Sequence, residues 1–498
     1  MKADRQQKKI EFPITFDSNR FVLLVLLGLT LLRTAALAIS PLELGVDEAQ
    51  YWLWSQSPDF GYFTKPPLIA WIIGAAHWAF GHSTMAVRLP ACWLQLATAL
   101  VLWQTALWLY GPRAGRLTAL IWISLPAVGL GSFLISTDTP LLLAVALALL
   151  ALAGSVCRKI PPARAMIYAG VALGVGMLAK YAAIYGFFGF MLIWASGRHH
   201  PSPIIQGRYL LLAIAACLIT VSPNLTWNLM HDFSTMRHLS DNANLAKQTH
   251  DIGQSVIFLI GQAGVAGPLV FLLMLGIIFA SRREKHAGWL VWMAVPVIGL
   301  LSLQAYLSEA NANWAMAAYP AMSVWLGAWL GSDGRQKTLL LLPRKWLGIA
   351  AIGLNFTLTV GLLLATMAGS LGPLTPTSDP LRRLRGWQAL AQDIEPHLAA
   401  HQANRIIADR RATAALLSWH FHGQDVTIMV HDRDGVPSNH FEANHSWQHR
   451  AGSPLLVLSG SSTPPIMPPI QWQGSPSQSN VVISRNKSRD LYIHKGIE

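Results

Sequence analysis

Apolar runs long enough to cross a lipid bilayer recur through most of this sequence, and they restrict its possible folds more than any other feature. About eleven runs of roughly 20 residues lie between residues 21 and 369. Only 12% of the 498 residues are charged, about half of the roughly 25% in an average globular chain. The chain is therefore predicted to be mainly α-helical and polytopic, with the lipid bilayer as its surroundings.

The predicted spans lie near residues 21–40, 86–110, 117–135, 139–156, 165–181, 183–197, 208–228, 253–280, 287–307, 313–330 and 345–369. Another run, 66–80, has only 15 residues, a length typical of a helix that lies on the membrane surface. The first run resembles a secretory signal peptide, but Arg33 interrupts it before the "ALAIS" site. It is therefore predicted to be an uncleaved first span.

The basic residues set the predicted orientation. If the N-terminus is cytoplasmic, five cytoplasmic links contain 14 basic residues, whereas the opposite links contain mainly Lys65, Lys180, Arg237 and Lys247. The 14 are Arg113, Arg116, Arg158, Lys159, Arg164, Arg198, Arg208, Arg282, Arg283, Lys285, Arg335, Lys337, Arg344 and Lys345. Positive charge accumulates in this way on the cytoplasmic side of membrane proteins. The bias also explains the net charge of +13, so no nucleic-acid partner is predicted.

This orientation divides the chain into three segments. Residues 1–20 form the predicted cytoplasmic tail, 21–370 the membrane domain with a first outer loop at 41–85, and 371–498 a domain outside the membrane. The last segment combines a helical pattern with short strand-like stretches such as "RIIADR", "VTIMV" and "PLLVLSG", which is typical of a small α/β domain. The stretch "SSTPPIMPPIQWQGSPSQSN" is predicted to be a loop within that domain.

Charged residues gather in the first outer loop. The stretch "GVDEAQYWLWSQSPDFGYFTKPPLIAW", residues 45–71, contains Asp47, Glu48 and Lys65 among many aromatic side chains. Other links on the same side contribute Asp138 in "STDTP", Lys180 in "LAKY", Arg237, and Glu309 and Asn313 in "SEANANW". Polar groups that converge from separate links on one side indicate a site at the outer membrane interface.

These residues have structural as well as functional interpretations. Asp47 and Glu48 could act in general-base catalysis, because a half-dry aromatic setting raises the pKa of a carboxylate, or they could begin a helix. Asp138 could cap a helix or serve the site, since a charge between two apolar runs is costly. Lys65 could extend to lipid headgroups or hold a substrate phosphate. Lys180 could reach the headgroups or face the site.

Other polar residues are predicted to have structural roles. Arg33, inside the first span, requires a partner such as Glu43 or Asp138, and an ion pair is predicted there. His77, His82 and the histidines of the tail lack the spacing of metal ligands, so a solvated surface is predicted for them. The tail histidines are His420, His422, His431, His440, His445 and His449. The three cysteines are predicted to be packing residues.

Several motifs in this chain resemble those of a known superfamily. They are "DEAQYW", "GYFTKPPLIAW", "STDTPLLL", "GVALGVGMLAKY", "PNLTWNLMHDFST" and "EANANWAMAAYPA". They resemble bacterial members of the dolichyl-phosphate-mannose–protein mannosyltransferase superfamily, which includes lipid A aminoarabinose transferases and lipopolysaccharide-core galacturonosyltransferases. The resemblance covers about residues 20–390, and the motifs are most similar to those of the galacturonosyltransferases.

The resemblance implies a GT-C fold and a glycosyltransferase of the bacterial inner membrane, with its active site facing the periplasm. Such an enzyme transfers a sugar, with inversion, from a polyprenyl-phosphate donor to a glycolipid or glycan acceptor, here an envelope glycolipid such as lipid A or lipopolysaccharide core. No DxD triplet occurs in the first loop, so no obligatory metal or other cofactor is predicted.

The resemblance also implies residue roles. Asp47 would be the general base on the acceptor hydroxyl, Glu48 would orient the acceptor or tune that base, and Asp138 would be a second catalytic acid. Lys65 and, by position, Arg237 would hold the lipid phosphate. The remaining substrate-binding candidates are Glu309 and Asn313, which would shape the pocket, and Lys180, which would meet an acidic sugar. Tyr62 is a further candidate, which could stack on a sugar face or anchor in the headgroups.

Three alternatives remain open at this stage. Ionisable residues near the membrane also suit a transporter of envelope lipid or saccharide, although no matched pair of broken helices is evident in the sequence. A protein O-glycosyltransferase of the same superfamily would share the motifs. A noncatalytic scaffold for envelope polysaccharide assembly would retain the fold without needing the charges.

Overall fold

The structure is a computed structural model, and it describes residues 18–197, 205–237, 250–280, 288–332, 343–372, 379–432, 434–484 and 487–498. Its membrane part contains α1 (Asn19–Ile39), α2 (Val46–Ser55), α3 (Leu68–Phe80), α4 (Thr84–Tyr110), α5 (Pro112–Ser124), α6 (Pro126–Phe133), α7 (Asp138–Val156), α8 (Pro162–Ala179) and α9 (Ile184–Gly197). It continues with α10 (Gly207–Met230), α11 (Ile252–Ala266), α12 (Pro268–Ala280), α13 (Gly288–Leu307), α14 (Tyr319–Gly331) and α15 (Arg344–Ala368). Short 3-10 helices lie at Tyr181–Ala183, Ala312–Ala318 and Pro380–Leu384.

Seven of the described helices are long and apolar enough to cross a bilayer by themselves. They are α1, α4, α7, α8, α10, α13 and α15. The pairs α5–α6 and α11–α12 are bent by 59° and 114°, and counting each pair as one span gives up to nine in the part of the chain that is described. The prediction of a mainly α-helical, multi-pass membrane protein is confirmed. The count of eleven additionally requires the 14-residue α9 and the 13-residue α14, and it stays a prediction.

The predicted surface helix exists as α3, which has 13 residues. One face is buried through Ile69, Ala70 and Ile73. Near the C-terminal end of the helix, Trp78 is 89% exposed and Phe80 is 64% exposed. A short helix with large apolar side chains exposed at one end suits a position at the membrane surface rather than across it.

Arg33 donates hydrogen bonds to groups at the break between two neighbouring helices. Leu125 interrupts the helical path between α5 and α6, and Pro126 begins the second helix. The buried Arg33 side chain donates from Nη2 to the Ile123 carbonyl at 3.0 Å and from Nη1 to Ser132 Oγ at 3.2 Å. The predicted ion pair with Glu43 or Asp138 is therefore wrong. A backbone carbonyl released by a helix break inside the membrane needs a donor, and the guanidinium supplies one.

The C-terminal part is a small α/β domain, as predicted. Its elements are α16 (Trp387–His401), β1 (Arg405–Ala408), α17 (Arg411–His420), β2 (Thr427–Val430), α18 (His440–Asn444), β3 (Pro454–Ser459), β4 (Gln471–Ser484) and β5 (Lys487–Ile497). The strand order is β2-β1-β3-β5-β4. Strand β1 pairs in parallel with β2 and β3, whereas β5 runs antiparallel to β3 and β4.

The second half of the predicted Pro/Ser-rich loop is not a loop. Residues from Gln471 onward form β4, which lies at the edge of the sheet and pairs with β5. An edge strand tolerates serine and glutamine because one of its faces and its free edge meet solvent. Composition alone therefore concealed this strand.

The C-terminal domain and the first outer loop share one apolar core. Trp52, Trp54 and Ile69 of the loop belong to the same buried cluster as Leu417 and Trp419 of α17, and α17 packs against α2. Removal of this apolar surface from water favours a fixed docking of the domain on the loop.

Glu43 adds a polar contact at this junction. Its carboxylate accepts the backbone N–H groups of Gly386, Trp387 and Gln388 at distances of 2.8 to 2.9 Å. These groups lie at the N-terminus of α16, where unpaired donors and the helix dipole both favour a negative charge. A residue of the outer loop thus caps a helix of the C-terminal domain.

We predict that Glu43→Ala loosens this junction. Loss of the cap should lower the local stability of α16 by about 1–2 kcal/mol, measured as faster hydrogen exchange of its first-turn amides. Glu395→Ala, on the exposed face of the same helix, is the matched control. Equal exchange in the two variants would contradict the capping role.

Candidate active site

Glu48 is buried in the first turn of α2 and is 4% exposed. Its Oε1 accepts from Arg88 Nε at 2.9 Å and from the Ile135 N–H at 3.1 Å. Its Oε2 accepts from Arg88 Nη2 at 2.7 Å and from the Gly45 N–H at 2.8 Å. Four donors occupy the carboxylate, which matches its hydrogen-bonding capacity. These contacts point to a role in positioning the loop rather than in contacting the acceptor.

Arg88 completes the same network from α4. It also donates from Nη1 to the Leu42 carbonyl at 3.1 Å and from Nη2 to the Glu43 carbonyl at 2.7 Å. The guanidinium thereby joins the entry to the outer loop, the start of α2 and a transmembrane helix. The sequence analysis missed Arg88, although an arginine within an apolar run is a signal for a buried partner.

Asp47 has the opposite environment to its neighbour Glu48. Its side chain is 64% exposed, and its Oδ1 accepts from Arg411 Nη1 and Nη2 at 3.2 and 3.1 Å. Arg411 is the first residue of α17, and its Nη1 also donates to Gln50 Oε1 at 2.6 Å. An accessible carboxylate is therefore held in position by the C-terminal domain. The sequence carried no signal that Arg411 would join the site.

Asp138 connects three separate links of the membrane domain. It begins α7, and its Oδ1 lies 2.7 Å from Nζ of Lys180, which follows α8. Its Oδ2 accepts from Asn313 Nδ2 at 3.2 Å, from the 3-10 helix before α14. The two charged side chains are only 15% and 20% exposed, so this ion pair is partly desolvated. Lys180 faces the site, and its contact with Asp138 excludes a purely lipid-facing position.

Lys65 interacts electrostatically with both of these acids. Burial lowers the pKa of Lys65 most, and the nearby Lys180 and Arg411 lower it further, while Asp47 and Asp138 act in the opposite direction. Five charged groups from four parts of the chain therefore share one electrostatic neighbourhood. Within the described residues, no hydrogen-bond partner of Lys65 Nζ is found, so the ammonium is available to an anion.

Two tyrosines support the loop around these charges. Tyr62 accepts from the Asp59 N–H at 3.1 Å and donates to the Trp54 carbonyl at 3.0 Å. Its ring stacks on Trp54 with centroids 4.7 Å apart, and burial raises its pKa to about 12. The hydroxyl of Tyr62 is thus engaged within the loop. Tyr51 is buried beside the acids, and burial, followed by Asp47 and Asp138, raises its pKa.

The tip of the loop is anchored on α10. Trp227 Nε1 donates to Asp59 Oδ2 at 2.7 Å, and Asn224 Nδ2 donates to the Phe60 carbonyl at 2.7 Å. Gly61 lies so close to the Trp227 ring that a Cβ there would come within 2.3 Å of it. Only glycine fits this close approach without a shift of the ring, which explains its place in "DFGYF".

Two predicted site residues lie on the protein surface. Arg237 and Glu309 are both exposed, and neither contributes to the shifted pKa of Lys65 or Tyr51. Their assignments to the phosphate and to the pocket stay predictions. Asn313, by contrast, contacts Asp138 directly.

The histidines do not form a uniformly solvated surface. His440 is buried against Trp54, with ring centroids 5.6 Å apart, and burial lowers its pKa to about 3. His77, His82 and His422 come together in three dimensions although they are distant in sequence. The prediction of a solvated surface is wrong for His440, which is buried, whereas His82 and His422 are exposed, as predicted. The docked domain brings α17 onto the outer loop and His422 beside the other two histidines.

Two comparisons with known sequences identify relatives of this chain. The sequence profile of the family described as "Dolichyl-phosphate-mannose-protein mannosyltransferase" matches residues 64–227. The lipid A galacturonosyltransferase RgtD of Rhizobium johnstonii is 31% identical over 96% of this chain and 98% of its own.

Solved structures share the fold. ArnT from Cupriavidus metallidurans in the apo state superposes with a TM-score of 0.63 and 14% identity, covering 95% of this chain and 97% of its own. The same protein bound to undecaprenyl phosphate gives a TM-score of 0.64 and 15% identity, with coverages of 96% and 98%.

A polytopic helical bundle that gathers acids and lysines from separate links on one side has the architecture of the membrane-embedded GT-C glycosyltransferases, and the predicted fold class is confirmed. The chain belongs to the dolichyl-phosphate-mannose–protein mannosyltransferase superfamily, within the family of the Rhizobium lipid A galacturonosyltransferase. It is accordingly a multi-pass membrane glycosyltransferase.

We predict that Arg88→Met strongly destabilises the protein. Glu48 would be left as a buried charge without a cation, which costs about 3–5 kcal/mol. The apparent melting temperature in detergent should fall sharply, and the double variant Glu48→Gln with Arg88→Met should recover part of the loss.

Arg208→Met provides the matched control for this experiment. Arg208 is exposed at the start of α10, and its side-chain hydrogen bonds within the described residues go to Gln206 and Tyr209. Its replacement should therefore change stability by less than about 0.5 kcal/mol. A small effect of Arg88→Met, comparable to that control, would rule out the positioning role of the buried pair.

Proposed function

We propose that this enzyme transfers a sugar from a polyprenyl-phosphate donor to lipid A, with inversion, at the periplasmic face of the bacterial inner membrane. The observation that carries the proposal is the accessible carboxylate of Asp47 in the same cluster as the half-buried ammonium of Lys65, which has no hydrogen-bond partner among the described residues. A reaction between a lipid phosphate and an alcohol requires a base for the alcohol and a cation for the phosphate.

The charge balance of the cluster favours an anionic donor. Lys65, Lys180 and Arg411 supply three cations, whereas Asp47 and Asp138 supply two carboxylates. The net charge of the cluster is therefore +1. The excess cation is Lys65, whose ammonium has no hydrogen-bond partner among the described residues. In a partly dry site, such a cation stabilises charge more strongly than it does in water.

The proposed chemical step is a single displacement. Asp47 takes the proton of the acceptor hydroxyl while that oxygen forms a bond to the anomeric carbon of the sugar. The bond between the anomeric carbon and the phosphate oxygen breaks, and the electron pair leaves with the phosphate. Lys65 stabilises the negative charge that develops on this leaving group. Attack from the face opposite the leaving group inverts the anomeric configuration.

The remaining residues of the cluster act through Asp47 and Lys65. Arg411 orients the carboxylate of Asp47, and Gln50 in turn holds Arg411. Asp138, with Asn313, holds the Lys180 ammonium near Lys65. Glu48 fixes the start of α2, so the direction of the neighbouring Asp47 is set before any substrate binds. Preorganisation of this kind is what electrostatic catalysis requires.

We propose a galacturonate-like acidic sugar as the transferred group. The relative with 31% identity is named as a galacturonosyltransferase, and three cations in one site suit a donor that carries a carboxylate as well as a phosphate. Lys180, which interacts electrostatically with Lys65, is the candidate cation for the sugar carboxylate.

Two lines of support concern the donor lipid and the side of the membrane. ArnT, which shares the fold, has been solved with undecaprenyl phosphate bound. The basic residues of the sequence accumulate in the links opposite the cluster, and positive links remain in the cytoplasm. The cluster would then face the periplasm.

Asp47→Asn should lower kcat for sugar transfer by about 10²–10⁴-fold, because an amide accepts no proton at neutral pH but can still accept a hydrogen bond from Arg411. The measurement is mass spectrometry of lipid A incubated with the purified enzyme and a polyprenyl-phosphate sugar. Asp59→Asn, in the same loop, is the matched control. Undiminished transfer by Asp47→Asn at normal membrane levels would exclude Asp47 as the base.

Lys65 should set the alkaline limit of activity. If its protonated form stabilises the phosphate, the alkaline limb of the kcat profile falls as the pH rises through the lowered pKa of Lys65, which lies below the ordinary lysine value of about 10.4. Lys65→Arg should retain charge and extend activity to higher pH, whereas Lys65→Gln should be slow at every pH. Identical pH profiles for the wild type and Lys65→Arg would argue against this role.

A further inference from the structure

Three histidines from two parts of the protein meet at one point outside the charged cluster. His77 lies in the last turn of α3, His82 in the turn before α4, and His422 two residues beyond α17. One ring nitrogen of each lies within 4.8 Å of the corresponding nitrogens of the other two. The first two residues belong to the outer loop, and the third belongs to the C-terminal domain.

Local backbone geometry produces this convergence. Gly81 ends α3 with φ of 77°, a left-handed conformation that glycine adopts without strain. The chain reverses there, so that the rings of His77 and His82 come to lie 5.6 Å apart. A residue with a Cβ at position 81 would resist this reversal.

Two tryptophan side chains pack against the three imidazole rings. The indole of Trp52 is 1% exposed and makes edge contacts with His77, His82 and His422 at centroid distances of 6.2, 5.2 and 5.1 Å. Trp419 lies 3.8 Å from the ring of His82. Rigid neighbours of this kind limit the entropy that the imidazoles would lose on binding a ligand.

The donor atoms suit a transition metal. Burial lowers the pKa of His77, and it lowers that of His82 to about 4, with the neighbouring histidines adding to both shifts. The neutral imidazole is the form of histidine that binds metals. His77 Nδ1 is buried and lacks a hydrogen-bond partner in the described ranges, so one nitrogen of the trio is left unsatisfied.

We propose that His77, His82 and His422 bind one divalent transition-metal ion, with Zn²⁺ as the best fit to three imidazole nitrogens. Zinc binds nitrogen at about 2.0–2.1 Å and accepts three histidines with a water in the fourth position. His82 and His422 are exposed, so rotation of their side chains can bring the nitrogens to the spacing of a tetrahedral ion. The exposed side leaves room for that water.

The ion would join the outer loop to the C-terminal domain. His422 follows the C-terminal end of α17, while Arg411 at the other end of that helix contacts Asp47. Metal binding would therefore fix both ends of α17 on the loop, one through the ion and the other through the salt bridge. In this proposal the role of the ion is to link the loop to the domain.

The test uses the full chain, purified in detergent with an affinity tag free of histidine and stripped with a chelator. Titration with Zn²⁺ by calorimetry should give one site per chain in the wild type. His82→Ala and His422→Ala should each lower the affinity by more than about tenfold, since removal of a ligand exceeds the 10–100-fold effect of losing an outer contact. His449→Ala, at an exposed histidine of the same domain, should bind as the wild type does.

A second readout follows the position of α17. Zn²⁺ should slow hydrogen exchange in Arg411–His420 of the wild type and of His449→Ala, and it should leave exchange unchanged in His82→Ala. His82 lies in an exposed turn, so this variant serves if His422→Ala fails to fold. Equal zinc affinity in the wild type and His82→Ala, or equal loss in His449→Ala, would overturn the proposal.

Discussion

The buried pair of Glu48 and Arg88 is the interaction on which the site depends. It joins the start of α2 to a transmembrane helix and to the turn before α7, and it does so where an unpaired charge would be costly. Successive residues of a helix point about 100° apart. The burial of Glu48 therefore directs Asp47 outward, and two adjacent carboxylates acquire different roles, one fixed within the protein and one open to a substrate.

The C-terminal domain is a part of the site and not an appendage to it. Glu43 of the loop caps α16, and Arg411 of α17 holds Asp47. The apolar contact between Trp52 and Trp419 holds the loop against the domain, so that these polar contacts can form. Any molecule that approaches Asp47 consequently meets surfaces from both parts of the chain.

Sequence patterns predicted apolar spans and several members of the charged cluster because their signals are local. The apolar runs specify helices, and charges at their ends indicated Asp47, Lys65 and Asp138 as site candidates. The contacts of Arg33 and Arg411 could not be predicted, because they depend on packing between segments that are 90 and 364 residues apart. Strand β4 was missed because polar side chains on an edge strand resemble those of a loop, and the three histidines were dismissed because their spacing in the sequence carries no metal signal.

The position of Arg33 has a consequence for biogenesis. The first span leaves the ribosome before either partner of its guanidinium exists, since Ile123 and Ser132 follow 90 and 99 residues later. Release of this helix alone into lipid would leave a bare cation in hydrocarbon, at about 2.5–3.5 kcal/mol near the centre. The nascent helix is therefore better retained beside the translocon until the broken pair emerges, and the membrane part of the protein is assembled in a fixed temporal order.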